Sequence, residues 1–213
     1  MSRPSSPPKP CISPNIEPTP RSNRALIYEF MPKWSLDKFI YNQGTNNQSR
    51  QLEWKTLYDI ALGITRGLEY LHQGCNTRIL HFDIKPHNVL LDENFCPKIF
   101  DFGLSKFGLS KFDVYSYEMM VFEMVGGRKN IDVEVSQTSE IYFPSWIYKH
   151  LDQSMNLNLN EEITREEEEI TRKLITMSLW CIQTNPLDRL SMTRVIEMLQ
   201  GSLQSLELPP RPT

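Results

Sequence analysis

The sequence lacks an apolar run of about 18 residues, the minimum for a membrane-spanning helix, and residues 1–23 lack the apolar stretch of a signal peptide. The net charge of -3 gives no basic surface for nucleic acid. The four cysteines form no C-x-x-C pair, so neither a disulfide framework nor a zinc site is indicated: Cys11, Cys75, Cys96 and Cys181. These absences favour a cytoplasmic chain with no membrane segment and no nucleic-acid partner.

The length of 213 residues and the 39% hydrophobic content fit one globular domain. Residues 1–23 hold seven of the fifteen prolines, and proline blocks helix and sheet hydrogen bonding, so this range is predicted to be a disordered tail. A proline-rich ligand for a partner domain remains the alternative. The folded domain is predicted over residues 24–206, followed by a tail at 207–213.

The first part of this domain shows mixed patterns. The apolar run Ala25–Met31 predicts a buried strand, and the stripe Leu57–Leu71 predicts an amphipathic helix. Three short β-like segments follow at Arg78–Leu80, Val89–Leu91 and Pro97–Phe100. The expected fold class is therefore α+β.

Helical patterns dominate the second part. The segment Asp113–Val125 is apolar on nearly all sides and precedes two glycines, which predicts a buried helix with a glycine stop. Apolar stripes at Ile170–Cys181 and Met192–Leu206 predict two amphipathic helices. The acidic run Glu166–Glu169 is typical of a solvated helix face, with an interaction surface as the alternative.

The motif HFDIKPHN at residues 81–88 is followed, thirteen residues after its end, by DFG at residues 101–103. Phosphoryl transfer needs a carboxylate that accepts the proton of a hydroxyl, a cation near the moving phosphate, and oxygen ligands for magnesium. Asp83, Lys85, Asn88 and Asp101 supply that set at suitable spacing.

This pattern resembles a eukaryotic protein kinase of the plant receptor-like type, similar to the leaf-rust resistance receptor kinases. The supporting stretches are RALIYEFM, SLDKFIY, GLEYLH, FDVYSYEMM, EIYFPSWIYKH and NPLDRLSM, so the resemblance spans residues 24–210. It implies the mostly helical C-terminal lobe of a kinase fold with a hinge strand and short β-hairpins, without the small lobe.

The resemblance also implies roles at the site. Asp83 and Lys85 would be catalytic, Asn88 and Asp101 would bind magnesium, and ATP would be the phosphate donor. The adenine would lie against residues with three functions: Tyr28 at the back of the pocket, Glu29, Phe30 and Met31 as the hinge, and Leu90 as the floor.

Two further roles are structural. Asp113 would hold the backbone of the catalytic loop, and Phe102 would stack beneath His81. Phe82 stands where many kinases have an arginine that responds to activation-loop phosphorylation.

The sequence departs from the family pattern in several places. The glycine-rich loop, the strand lysine and the helix glutamate that hold ATP phosphates are not found among these residues. Only Leu104–Phe112 stands where the family has its activation segment, and it overlaps the tandem copy FGLSKFGLSK at residues 102–111. Arg189 would lose its glutamate partner there, so it is expected to turn to solvent or to weaken the lobe. Glu118 must be paired, protonated or displaced on the buried helix.

Three hypotheses follow. The chain is a serine/threonine kinase, impaired but acting on a protein substrate; or a non-catalytic binding module that occupies the partners of intact kinase relatives; or a truncated gene product without function. Weak or absent ATP binding is expected, because hinge and floor alone leave the adenine in water. Full-length relatives would be membrane receptors with a cytoplasmic kinase domain.

Overall fold

A computed structural model describes residues 29–41, 52–102, 110–127 and 164–210. Its helices and strands follow the chain in this order: α1 (Asp37–Ile40), α2 (Trp54–Glu69), β1 (Val89–Leu91), β2 (Pro97–Ile99), α3 (Lys111–Gly126), α4 (Arg165–Cys181) and α5 (Met192–Gln200). Helix α2 continues into a π-helical turn at Tyr70–Gly74. The mostly helical α+β class predicted from the sequence is confirmed for this part of the chain.

Helix α3 is the central, buried helix of the core. Its sequence is apolar on nearly all sides, and Val114, Tyr117 and Phe122 are fully buried. It packs against α2 and α4, while α5 packs against α2. The helix ends where Gly127 adopts a left-handed conformation with φ of 62°, which glycine accepts without steric cost. The predicted buried helix and its glycine stop are confirmed.

The two strands form an antiparallel hairpin in which Val89 lies opposite Ile99. This hairpin lies close against α2, where Gly63 and Gly67 leave room for it. A Cβ atom on Gly63 would lie 2.7 Å from Pro97 Cγ, so only glycine fits there. The contact fixes the hairpin, and the loop before it, relative to the helical core.

A short segment pairs with the open edge of β1. The Lys33 and Leu36 amides donate to carbonyls of Leu91 and Val89 at 3.2 and 2.9 Å, and the Leu91 amide donates to the Trp34 carbonyl at 3.0 Å. Helix α1 therefore begins directly beside the strand that follows the catalytic loop.

Three sequence predictions about elements are wrong in whole or part. Of the predicted strand Ala25–Met31, only residues 29–31 are described; they form no strand, and Phe30 is 84% exposed, because no described strand pairs with them. Within Arg78–Leu80 only Leu80 forms an isolated bridge. The last predicted helix stops at Gln200, because Gly201 is extended and a short 3-10 turn follows.

The acidic run forms the first turn of α4, where carboxylates suit the positive end of the helix dipole. Thr164 and Glu167 form a reciprocal capping box, in which the Thr164 amide donates to Glu167 Oε2 at 2.8 Å. Glu166, Glu168 and Glu169 are exposed, as predicted for a solvated face. None of the helices in the described ranges has the length and apolar content needed to cross a bilayer.

Candidate active site

The loop at residues 81–88 is held from below by the buried carboxylate of Asp113 at the start of α3. Its two oxygens accept hydrogen bonds from the backbone amides of His81 at 2.9 Å and Phe82 at 2.7 Å. The ring of His72 lies 2.9 Å from the same carboxylate. Asp113 therefore anchors the loop as predicted, whereas the contribution of His72 had no signal in the sequence.

Two residues of the site have backbone angles that side chains rarely adopt. Phe82 has φ of 64° and Asp101 has φ of 66°, and such left-handed conformations cost free energy in residues other than glycine. The Asp113 bond to the Phe82 amide holds the first of them in place. The bend at Phe82 separates the buried His81 from the half-buried Asp83.

The predicted base, Asp83, is bound by two neighbours in the loop. Lys85 Nζ donates to Asp83 Oδ2 at 2.7 Å, and Asn88 Nδ2 donates to the same oxygen and to the Asp83 carbonyl, both at 2.9 Å. The hydrogen bond from Lys85 holds the pKa of Asp83 below its ordinary value. The carboxylate is therefore ionised near neutral pH, the state in which it accepts a proton.

The donor set fits magnesium. Because Asn88 uses its amide nitrogen for Asp83, the Asn88 amide oxygen is left for a metal ion. The Phe100 amide donates to the Asn88 carbonyl at 3.1 Å, so Asp101 follows directly where the second strand meets the loop. In the described ranges no three His, Cys, Asp or Glu side chains cluster as metal ligands. One amide and one carboxylate, completed by water and phosphate, are what Mg²⁺ accepts.

His81 and Phe102 form the internal contact that the sequence predicted. Their ring centroids are 4.8 Å apart in an edge-to-face arrangement, and His81 Nε2 lies 2.8 Å from the Phe100 carbonyl. His81 is fully buried, which fits a structural role.

The predicted adenine-binding residues are not brought together in the same way. Tyr28 lies outside the described residues. Glu29 and Phe30 are exposed, Met31 is partly buried, and Leu90 is a partly buried residue of β1 opposite Lys98. The structure thus assembles Asp83, Lys85 and Asn88, but it forms no enclosed surface from the hinge residues it describes.

The expectation that Arg189 turns to solvent is wrong, whereas the alternative, a weakened lobe, stays a prediction. Its guanidinium donates to the carbonyls of Gln183 at 2.8 Å and Lys111 at 3.2 Å, and lies 4.7 Å from the ring centroid of Tyr115. Backbone carbonyls and an aromatic face replace the carboxylate that the resemblance assigns to it.

In sequence, the chain is similar to known protein kinases. The family model described as protein kinase domain matches residues 17–111. The rust resistance kinase Lr10 of Triticum aestivum is 49% identical over 220 residues, which cover 89% of this chain and 35% of that protein. The PR5-like receptor kinase of Arabidopsis thaliana is 46% identical over 226 residues, which cover 90% of this chain and 33% of that protein. The first half of the chain thus matches the protein kinase domain, and about nine-tenths of the chain is similar to receptor-type kinases.

The chain spans about a third of the length of these two receptor-type kinases. Both alignments are longer than the 213 residues of the chain, so each relative contains residues with no counterpart here.

Proposed function

We propose that this chain carries the base and the metal ligands of a serine/threonine protein kinase site. Asp83 accepts the proton of a substrate hydroxyl, and Lys85 lies beside it as the cation near the transferred phosphate. Asn88 and Asp101 hold Mg²⁺, which neutralises charge on the phosphates of ATP when bound. The observation that supports this most is the double hydrogen bond from Asn88 to Asp83, which fixes the base and leaves the amide oxygen for the metal.

We infer that transfer by this chain is slow. Phe102 packs on His81, while Phe112 lies 6.0 Å from the adjacent Phe82. Phe102, two residues before the nine-residue connection Leu104–Phe112, and Phe112, its last residue, thus lie beside neighbouring positions of the loop. A short connection of this kind leaves little chain to present a peptide, and the exposed hinge leaves adenine in water.

Phosphate transfer from radiolabelled ATP to a serine-rich protein tests the proposal. Wild type is compared with Asp83→Asn and with Asp59→Asn, which removes an exposed carboxylate on α2. Slow incorporation that disappears only in Asp83→Asn is expected. Equal incorporation by wild type and Asp83→Asn would refute the proposal.

A second candidate is a binding module that retains intact kinase relatives or their substrates without catalysis. It is favoured by two large apolar side chains left exposed in the segment before α1, Phe30 at 84% and Trp34 at 67% exposure. A pull-down with an intact relative should then lose retention in Phe30→Ser. No retention by wild type would exclude this function.

By likeness to receptor kinases, we place either function on the cytoplasmic side of a membrane.

The third candidate is a chain that does not fold stably. The continuous buried core argues against it, because α2, α3, α4 and α5 share one cluster of apolar side chains. A cooperative thermal unfolding transition of the purified chain would exclude this candidate.

A further inference from the structure

Asp37, the first residue of α1, has a buried carboxylate that contacts the end of the catalytic loop, whereas Asp113 binds its start. Its side chain is only 5% exposed. It accepts a hydrogen bond from Ser35 Oγ at 2.5 Å, and His87 Nε2 lies 3.3 Å from its other oxygen. A buried carboxylate needs such partners to offset the loss of water.

The imidazole of His87 is 55% exposed, so packing alone does not determine its position. His87 belongs to the 3-10 turn Pro86–Asn88, and its two neighbours in that turn are buried. The contact with Asp37 is the polar contact that directs this side chain, and the ring of Tyr41 lies beside it at 6.3 Å between centroids.

The frame that carries Asp37 has its own contacts with β1 and α3. The fully buried Leu36 donates its amide to the Val89 carbonyl at 2.9 Å. At the other end of α1, Tyr41 Oη donates to Glu123 Oε2 on α3 at 2.5 Å. Asp37 therefore lies on a short helix tied at both ends, to β1 and to α3.

We propose that Asp37 is a positioning residue for Asn88, acting through His87. The Asp37–His87 contact holds the turn Pro86–Asn88 at the orientation in which Asn88 Nδ2 reaches both acceptors on Asp83. Asp37 touches none of the proposed reacting groups. Its effect on catalysis rests on the proposed function, but its effect on the Asn88 amide does not.

The test measures hydrogen exchange of the Asn88 side-chain amide by NMR in the ¹⁵N-labelled full chain without metal. His87→Ala is expected to accelerate this exchange about tenfold, the change that follows from losing one charge-assisted hydrogen bond. His87→Gln, which keeps a donor, is expected to restore slow exchange. Lys38→Ala is the matched control, because Lys38 also lies near the Asp37 carboxylate but is an exposed neighbour in α1.

Asn88 exchange unchanged in His87→Ala would overturn the proposal, as would an equal acceleration in Lys38→Ala. Urea unfolding of the same samples separates a local effect from a global one: an acceleration matched by an equal loss of overall stability would also overturn it.

Adding Mn²⁺ separates the proposal about Asp37 from the proposed function. No line broadening at Asn88 in wild type contradicts the proposed function, whereas the metal-free exchange still decides the role of Asp37.

Discussion

Lys111 and Arg189 each donate a side-chain hydrogen bond to the backbone carbonyl of the other. Arg189 Nη1 lies 3.2 Å from the Lys111 carbonyl, and Lys111 Nζ bonds the Arg189 carbonyl. Both side chains are partly buried, and desolvation lowers the pKa of each. The pair ties the start of α3 to the segment between α4 and α5, at the arginine for which the resemblance implies a glutamate partner.

Removing either side chain of this pair should destabilise the fold. Lys111→Met is expected to lower the free energy of unfolding by about 1 to 2 kcal/mol, because it leaves the Arg189 carbonyl without its donor. Arg189→Met is expected to cost more, about 2 to 3 kcal/mol, because two carbonyls and the Tyr115 contact are affected. Urea titration measures both values.

Arg194→Met is the control for charge removal, since Arg194 pairs with Glu197 at the surface and such pairs contribute about 0.2 to 1 kcal/mol. A double-mutant cycle of Lys111→Met and Arg189→Met should give a coupling of at least about 0.5 kcal/mol. Strict additivity would show that the two side chains act separately.

The two glycines of α2 should respond oppositely to alanine. Gly63→Ala places a Cβ 2.7 Å from Pro97 Cγ and is expected to destabilise by about 1 to 3 kcal/mol. Gly67→Ala meets Ile99 Cδ1 at an ordinary 3.6 Å and is expected to stabilise by about 0.5 to 1 kcal/mol, because alanine favours a helix. Thermal unfolding of both variants checks the prediction, and equal shifts would refute the close packing of β2 on α2.

Glu118 should make stability depend on pH. It is fully buried on α3 near Ser178 and Cys181, and burial raises its pKa to about 8. The folded state therefore keeps a proton that the unfolded chain releases above its ordinary value of 4.5. This contribution is fully present below that value and is lost as pH rises through about 8.

The comparison is with Glu118→Gln, which does not titrate. Relative to this variant, wild type is expected to lose about 3 kcal/mol of unfolding free energy between about pH 5.5 and pH 8.5. Urea titrations at the two pH values measure it. A constant difference between the two proteins would mean that Glu118 is ionised in the folded state or reaches solvent.

Trp34 should be replaceable with a gain in stability. It has φ of 69° and is 67% exposed. The left-handed backbone destabilises the folded state, and the exposed side chain contributes little burial to offset this. Trp34→Gly is expected to raise the unfolding free energy by about 0.5 to 1 kcal/mol. Trp34→Ala removes the ring but keeps the strain, so it should show no gain; equal gains would assign the effect to the ring.

The parts of the site that the sequence predicted are those in which a side-chain type at a fixed spacing determines the contact. Asp113 beneath the loop and Phe102 beside His81 are of this kind. The partners of Arg189 could not be predicted, because they are backbone carbonyls, which every residue has.

Long-range contacts and helix ends are the other features that the sequence did not predict. The contact between Asp37 and His87 joins two motifs that are far apart in sequence, and neither motif indicates that these side chains meet. The apolar stripe through Leu206 predicted too long a helix, since periodicity does not register the extended backbone of Gly201.

The central claim is that Asn88 and Asp101, which flank the open end of one hairpin, belong to a single metal site. Paramagnetic broadening during a Mn²⁺ titration of the ¹⁵N-labelled chain tests it most directly. The account predicts that the Asn88 side-chain amide and the Asp101 backbone amide broaden together at the lowest metal concentrations, and that Asp101→Asn abolishes both effects. Broadening that begins instead at Glu166–Glu169, or that persists at Asn88 in Asp101→Asn, would contradict it.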